Sequence, residues 1–346
     1  MKPINSGTFS QHGFRMPAEW EPHAATWVSW PHKEESWPGK FEKIPPIYAQ
    51  MVKHLARSEP VHINVADAEM ESHARRHLDE AGASGEILFH HFSTNDAWCR
   101  DHGAIIVKNA DGDRHALDWQ YNAWGEKYPP FDLDNQIPSQ MADALGLPCT
   151  SIPLVLEGGS IDVNGQSVLL TTESCLLNPN RNPQFSKREI EQTLKDFFGV
   201  TEVWWLGDGI VGDDTDGHID DLTRFVNPNT VVTVVESNPN DVNYQPLEEN
   251  RRRLESFQLD GKPLNVIELP MPSPVEYDGE RLPASYANFY IANRLVLVPT
   301  YNCPADAVAL DVLGKCFPNR EIVGLDCTDL VWGLGAFHCL TQQIPA

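Results

Sequence analysis

The stretch Ser186-Lys-Arg-Glu189-Ile190-Glu-Gln-Thr-Leu194-Lys-Asp-Phe-Phe198, followed by Gly199-Val-Thr and then Glu202-Val-Trp-Trp-Leu206, decides how the chain is read. Ile190, Leu194 and Phe198 fall on one helical face, so residues 187–198 read as an amphipathic helix. Ser186 with Glu189 is a capping-box start: the hydroxyl accepts from the third N–H, and the carboxylate reaches back to the first. Residues 202–206 are a short apolar strand. Next comes a polar, Gly-rich segment, Gly212-Asp-Asp-Thr-Asp-Gly-His218-Ile-Asp220-Asp221. The unit is therefore helix, strand, polar loop.

Outward from this stretch the same unit recurs. Residues 68–78, 137–145, 247–257 and 305–317 also read as amphipathic helices, the last preceded by Pro304, a residue tolerated at a helix start. Short apolar strands follow at 86–90, 151–155, 265–269 and 321–325. With Ile87, Ile152, Val203, Val266 and Ile322 as markers, the spacings are 65, 51, 63 and 56 residues. Further strand-like runs lie at 104–107, 168–171, 231–235 and 295–298. Five units at a similar period suggest a repeated module closed into a ring. An ordinary α/β chain also recurs every few dozen residues, and by periodicity alone it is the preferred reading.

The 346 residues suit two domains or one large closed one. No low-complexity tract, Gly/Ser linker or convincing boundary divides them, so residues 1–346 are expected to form a single catalytic domain. With 41% hydrophobic and 22% charged residues the chain is of the folded, globular kind. Lys plus Arg is 26 against 49 for Asp plus Glu, a net charge of −23. Such a surface repels phosphate backbones, which argues against nucleic acid as a partner. It attracts cations, although solubility alone would also account for it. The seven cysteines are widely spaced with no CxxC pair, which argues against a structural zinc site or a disulfide framework. Residues 1–14 lack a leader's apolar core, and no run nears the ~18 apolar residues of a membrane span. The expectation is a cytoplasmic protein with reduced thiols and no membrane partner.

Polar segments follow four of the five marker strands: Asn95-Asp-Ala-Trp98-Cys-Arg-Asp101, Glu157-Gly-Gly-Ser160, the 212–221 stretch, and Gly333-Leu-Gly335-Ala-Phe-His338-Cys339. If the units are related, these loops converge, and loops on a rigid scaffold are where function concentrates. Cys339 is a candidate nucleophile, His218 a general acid/base, and Glu157 the carboxylate that orients the imidazole. Without that convergence, a lone Cys is more often a buried small residue and a lone His structural. Gly333 and Gly335 would let backbone approach a ligand closely. His218 stands among Asp213, Asp214, Asp216, Asp220 and Asp221, which is costly unless a cation sits there; an exposed acidic loop is the alternative. The run lacks the ligand pattern of an EF-hand, so no metal is expected. A guanidinium fits better, since it stays charged and binds carboxylates bidentately. Asp101 and Asp220 could hold its edges and Trp98 cover its face. Asp214 is a further candidate for binding the substrate cation.

These motifs resemble the agmatine deiminases, within the superfamily that also holds arginine deiminases, peptidylarginine deiminases and amidinotransferases. The resemblance runs from Met16-Pro-Ala-Glu-Trp20-Glu-Pro-His23 through the segments above, Asn178-Pro-Asn-Arg-Asn-Pro183, Tyr286-Ala-Asn288-Phe-Tyr and Pro299-Thr-Tyr-Asn302 to His338-Cys339-Leu-Thr-Gln-Gln343-Ile-Pro345. It implies a five-bladed α/β propeller with pseudo-fivefold symmetry around a central site, which reverses the preference for an ordinary α/β chain. It implies Cys339 as nucleophile, His218 as acid/base and Glu157 as its support. Asp101 and Asp220 would be the guanidinium carboxylates and Trp98 the aromatic residue beside the substrate. No cofactor is implied. The activity implied is hydrolysis of agmatine to N-carbamoylputrescine and ammonia in putrescine biosynthesis; a peptidyl-arginine or other guanidino-compound deiminase would use the same residues. The partner is a small guanidino cation, and a homo-oligomer, dimer or tetramer, is allowed. A silent guanidinium or polyamine binder would not need the thiol. Where the family has three glycines and an Asn before His-Cys, this chain has Leu334 and Ala336, which bears on backbone geometry and on contacts to the substrate's chain. Arg100 and Arg181 are the basic residues within the motifs, and their direction bears on whether a substrate carboxylate is met.

Overall fold

The computed structural model describes residues 7–346; residues 1–6, the start of the 1–14 stretch considered above, lie outside the described residues. Helix 187–198 forms with both halves of its capping box, and Gly199 ends it at φ 69°. A side chain at that left-handed position would strike the Phe14 carbonyl at 2.3 Å. The strand Glu202–Leu206 follows, with its last three residues buried.

Glu202–Leu206 pairs parallel to Val168–Thr172, which pairs antiparallel to Asp162–Val163. This order, a hairpin and then a helical crossover to a parallel strand, recurs in Ile105–Lys108, Arg114–Gln120 and Cys149–Val155. It recurs again in Thr223–Asn227, Thr230–Val235 and Asn265–Pro270, and in Tyr290–Ile291, Leu295–Thr300 and Glu321–Asp326. In the four-stranded sheet His23–Ser29 pairs antiparallel to Thr341–Pro345 and parallel to Val61–Val65. The C-terminal strand thus completes the hairpin of the sheet that the first strand begins. The architecture is mixed α/β: among the described residues four three-stranded sheets share one order, the four-stranded sheet contains that order with one strand added, and two short hairpins make up the rest. Central strands such as Val168–Thr172 are buried throughout, as strands covered on both faces must be.

The first repeat unit needs a correction. Its expected helix and strand at 68–78 and 86–90 exist as Ala68–Ala81 and Ile87–His91, but that strand is the fourth and outermost of its sheet. The position equivalent to the other outer strands belongs to Val61–Val65, reached through helix Ile44–Ala56. Pro45 and Pro46 resemble a break in that helix; in the first turn, where N–H groups have no intrahelical acceptor, proline costs nothing. Among the described residues no helix is long and apolar enough to cross a membrane.

Candidate active site

The segments leaving the outer strands meet around a cavity of about 620 Å³. Trp98, Asp101, Asp214 and Cys339 are on its wall. His218, Asp220 and Glu157 are fully buried directly behind the wall, His218 3.8 Å from Asp101 and Asp220 3.8 Å from Cys339.

Cys339 sits in the single turn Phe337–Leu340, 5% exposed. Its thiol can donate to Asp220 Oδ2 at 3.8 Å and accepts from Asn288 Nδ2 at 3.0 Å. Asn288 also donates to Asp221 Oδ1 at 3.0 Å and accepts from the N–H groups of His338 and Cys339 at 3.0 and 3.3 Å. Burial, followed by Asp220, Asp221 and Asp101, pushes the Cys339 thiol well above its ordinary pKa, which favours the protonated sulfur.

Asp220 Oδ2 is held by His338 Nδ1 at 2.6 Å, and His338 Nε2 in turn meets Glu19 Oε2 at 2.8 Å. Glu19 also accepts from Arg100, from Arg224 and, at 2.7 Å, from the Ile291 N–H. Burial opposes charge on Glu19, but Arg224 and His338 hold its carboxyl well below the usual range. The opening motif therefore serves as the buried anchor for His338 and, through it, for Asp220. Asp220 Oδ1 has no hydrogen-bond partner.

Asp101 accepts from Trp124 Nε1 and from the Gly159 N–H, each at 3.0 Å. Its Oδ1 stands 3.8 Å from His218 Nδ1, and Asp220 Oδ1 stands 4.0 Å from the same nitrogen. Burial, offset in part by His218, pushes Asp101 up to about 6. Burial works against charge on His218, yet Asp101 and its other neighbours raise it well above an ordinary histidine. Neither ring nitrogen makes a well-aligned hydrogen bond, although the neighbouring Cys175 thiol helps to raise the ring. Gly159 explains the Glu157-Gly-Gly sequence: a Cβ there would lie 2.6 Å from His218 Nδ1 and 2.8 Å from Asp101 Oδ1. Gly335 likewise lets Trp98 approach, since a Cβ would meet that ring at 2.6 Å.

Glu157 is near the His218 ring, within 4.8 Å, but makes no hydrogen bond to it; its Oε1 accepts from Arg181 Nε at 2.6 Å instead. The expected orienting contact is thus an ion pair to Arg181. Arg181 continues to Asp216 at 2.7 Å, and Arg100 is spent on Glu19, Gln342 and Gln343, so neither arginine faces the cavity. The acidic run divides by task. Asp213 ties its own loop through Thr215 and the His218 N–H, and Asp216 holds Arg181 and Lys127. Asp214 stands on the cavity wall, bonded to Tyr128 and Lys127.

Leu334 adopts φ 69°, the left-handed geometry that a glycine would take there, and sets its side chain on the cavity wall. Asn288 was missing from the expected site residues. The signal was positional: the fourth outer strand lacked a polar segment, and the chain after it supplies Asn288. Cys175, beside His218, gave no signal at all.

The family model described as Porphyromonas-type peptidyl-arginine deiminase matches residues 15–345. The agmatine deiminase of Enterococcus faecalis superposes with a TM-score of 0.93 at 34% identity, covering 100% of this chain and 99% of that one. A C. jejuni agmatine deiminase variant with substrate bound gives 0.88 at 33% identity, covering 96% of each chain.

Proposed function

The chain belongs to the Porphyromonas-type peptidyl-arginine deiminase family, among the agmatine deiminases, and hydrolyses guanidino C–N bonds; on that basis we propose that its substrate is agmatine, converted to N-carbamoylputrescine and ammonia through a covalent intermediate on Cys339 in putrescine biosynthesis. One observation carries this choice. Among the described residues lining the cavity are six carboxylates, Glu35, Asp96, Asp101, Asp214, Asp278 and Glu280, against one base, Lys33, itself 3.4 Å from Asp96. A dication suits that wall. The carboxylate of free arginine would find no unpaired cation there.

Asp101 and the free Oδ1 of Asp220 take the guanidinium edges, with Trp98 beside it. The arriving cation offsets the carboxylates that hold the thiol protonated, so the thiol releases its proton to solvent and the substrate helps to generate its own nucleophile. The Cys339 thiolate attacks the guanidinium carbon. His218 gives a proton to the departing nitrogen and ammonia leaves, with an amidino-thioether left on Cys339. His218 then takes a proton from water, which attacks the same carbon. The C–S bond breaks, and the ureido product departs. Positioning and charge stabilisation supply much of the rate. Five sheets that share a three-strand order, with the first and last strands paired in one of them, support a five-bladed α/β propeller with this cavity on its pseudo-fivefold axis. Ammonia release from agmatine, matched one to one by N-carbamoylputrescine, tests the reading; ammonia release without the ureido product would reject it.

A further inference from the structure

Glu157, Cys175 and His218 form a second cluster that the reaction does not use as a unit. A carboxylate oxygen, the sulfur and a ring nitrogen all lie within 4.8 Å of one another, and all three residues are fully buried. Glu157 Oε2 lacks a hydrogen-bond partner; His218 Nδ1 faces Asp101 and Asp220, and the Cys175 thiol interacts with the ring without a well-aligned hydrogen bond. Buried polar atoms are almost always satisfied, so a partnerless carboxylate oxygen beside a thiol and an imidazole calls for an explanation. Cys175 stands in the single turn Glu173–Leu176, and its thiol has no part in the chemistry above.

We propose that Glu157, Cys175 and His218 form an inhibitory site for a thiophilic divalent ion of the zinc type. The donor set is one thiolate, one imidazole and one carboxylate, the mixture that zinc accepts with water in the fourth position. Calcium and magnesium, which need oxygen ligands, are excluded by the same set. Bond lengths of about 2.0–2.3 Å require the three atoms to close by up to roughly 1 Å. Oε2 is free to make that move while Oε1 stays on Arg181. On binding, the Cys175 thiol loses its proton, and so does His218 where it is protonated; both protons pass to solvent. The ion's two charges then face Glu157, the new thiolate and the nearby Asp101 and Asp220. No step is oxidised or reduced. The consequence is reversible inhibition, because the imidazole is held away from its proton transfers. Onset is slow, since none of the three residues lines the cavity. Only the inhibitory effect rests on the deiminase reading; the binding does not.

The test uses cobalt(II) as a spectroscopic probe and zinc as the inhibitor. Cys339→Ala should bind one equivalent of cobalt(II) with a thiolate-to-metal charge-transfer band. Cys175→Ser and Cys175→Ala should lose that band. With agmatine as substrate, zinc should inhibit the wild type and a chelator restore it. The two Cys175 variants should need at least about 100-fold more zinc for half inhibition, more than loss of an outer-shell partner costs. A band lost in Cys339→Ala and kept in the Cys175 variants would place the ion on the nucleophile and overturn the proposal. Absence of the band in all the proteins would overturn it equally. If no protein released ammonia from agmatine, the deiminase reading would fall while the cobalt spectra still decided the site.

Discussion

At the floor of the cavity, Asp101 and Cys339, with Asp220 directly behind them, are at most 5% exposed, and each is fixed by a neighbour that is itself buried. His338 and Glu19 stand behind Asp220, Trp124 and Gly159 hold Asp101, and Asn288 holds Cys339. At the mouth, Glu35, Asp278 and Glu280 are exposed, and the last two sit on or beside the turn of the short hairpin Glu276–Tyr277 and Glu280–Arg281. Charge at the floor acts in a dry setting where its loss is felt in full. Charge at the mouth is screened by water and salt. The floor therefore sets the reaction, and the mouth sets which guanidino compound reaches it.

The sharpest way to break this division is at the nucleophile. Cys339→Ala and Cys339→Ser should stay folded and lose several orders of magnitude in turnover. Near-normal ammonia release from either would refute a covalent mechanism. Next come the floor carboxylates. Asp101→Asn and Asp220→Asn each leave the guanidinium partly unpaired, at a cost of ~2–5 kcal/mol. That is a loss of roughly one and a half to nearly four powers of ten in kcat/KM. Asp111→Asn and Asp113→Asn, in an exposed turn, remove the same charge and should change little. Equal losses in all four would mean long-range steering by the acidic surface.

Smaller effects belong to the mouth. Leu334→Gly keeps the left-handed backbone and removes an apolar contact, so KM for agmatine should rise a few-fold with kcat nearly constant. Loss of kcat instead would show that the loop before Cys339 depends on this side chain for its geometry. Glu280→Gln should change KM less than about tenfold, and the change should shrink as salt is raised. A salt-independent loss would mean that Glu280 touches the substrate directly.

How much of this was legible in the sequence depended on where the physical signal lay. Helix 187–198 was legible at both ends because its cap and its terminating glycine are local. Helix Ile44–Ala56 was not, because two prolines in the first turn resemble a break. Cys339, His218, Asp101 and Asp220 stood out as reactive types in short polar segments. Asn288 did not, because its role exists only when the fourth and fifth units meet. The Glu157–Arg181 pair joins residues 24 apart, and nothing in either motif announces it. Cys175 shows its place only through burial against His218.

The measurement that bears most directly on the central claim is kcat/KM for agmatine, arginine and a blocked arginine peptide under identical conditions. Placing a carboxylate against this wall should cost several kcal/mol. Agmatine is therefore expected to exceed arginine by at least about 100-fold, equivalent to about 2.7 kcal/mol, with N-carbamoylputrescine and ammonia formed in equal amounts. Arginine or the peptide turning over as well as agmatine would contradict the claim that this acidic cavity selects a small dication.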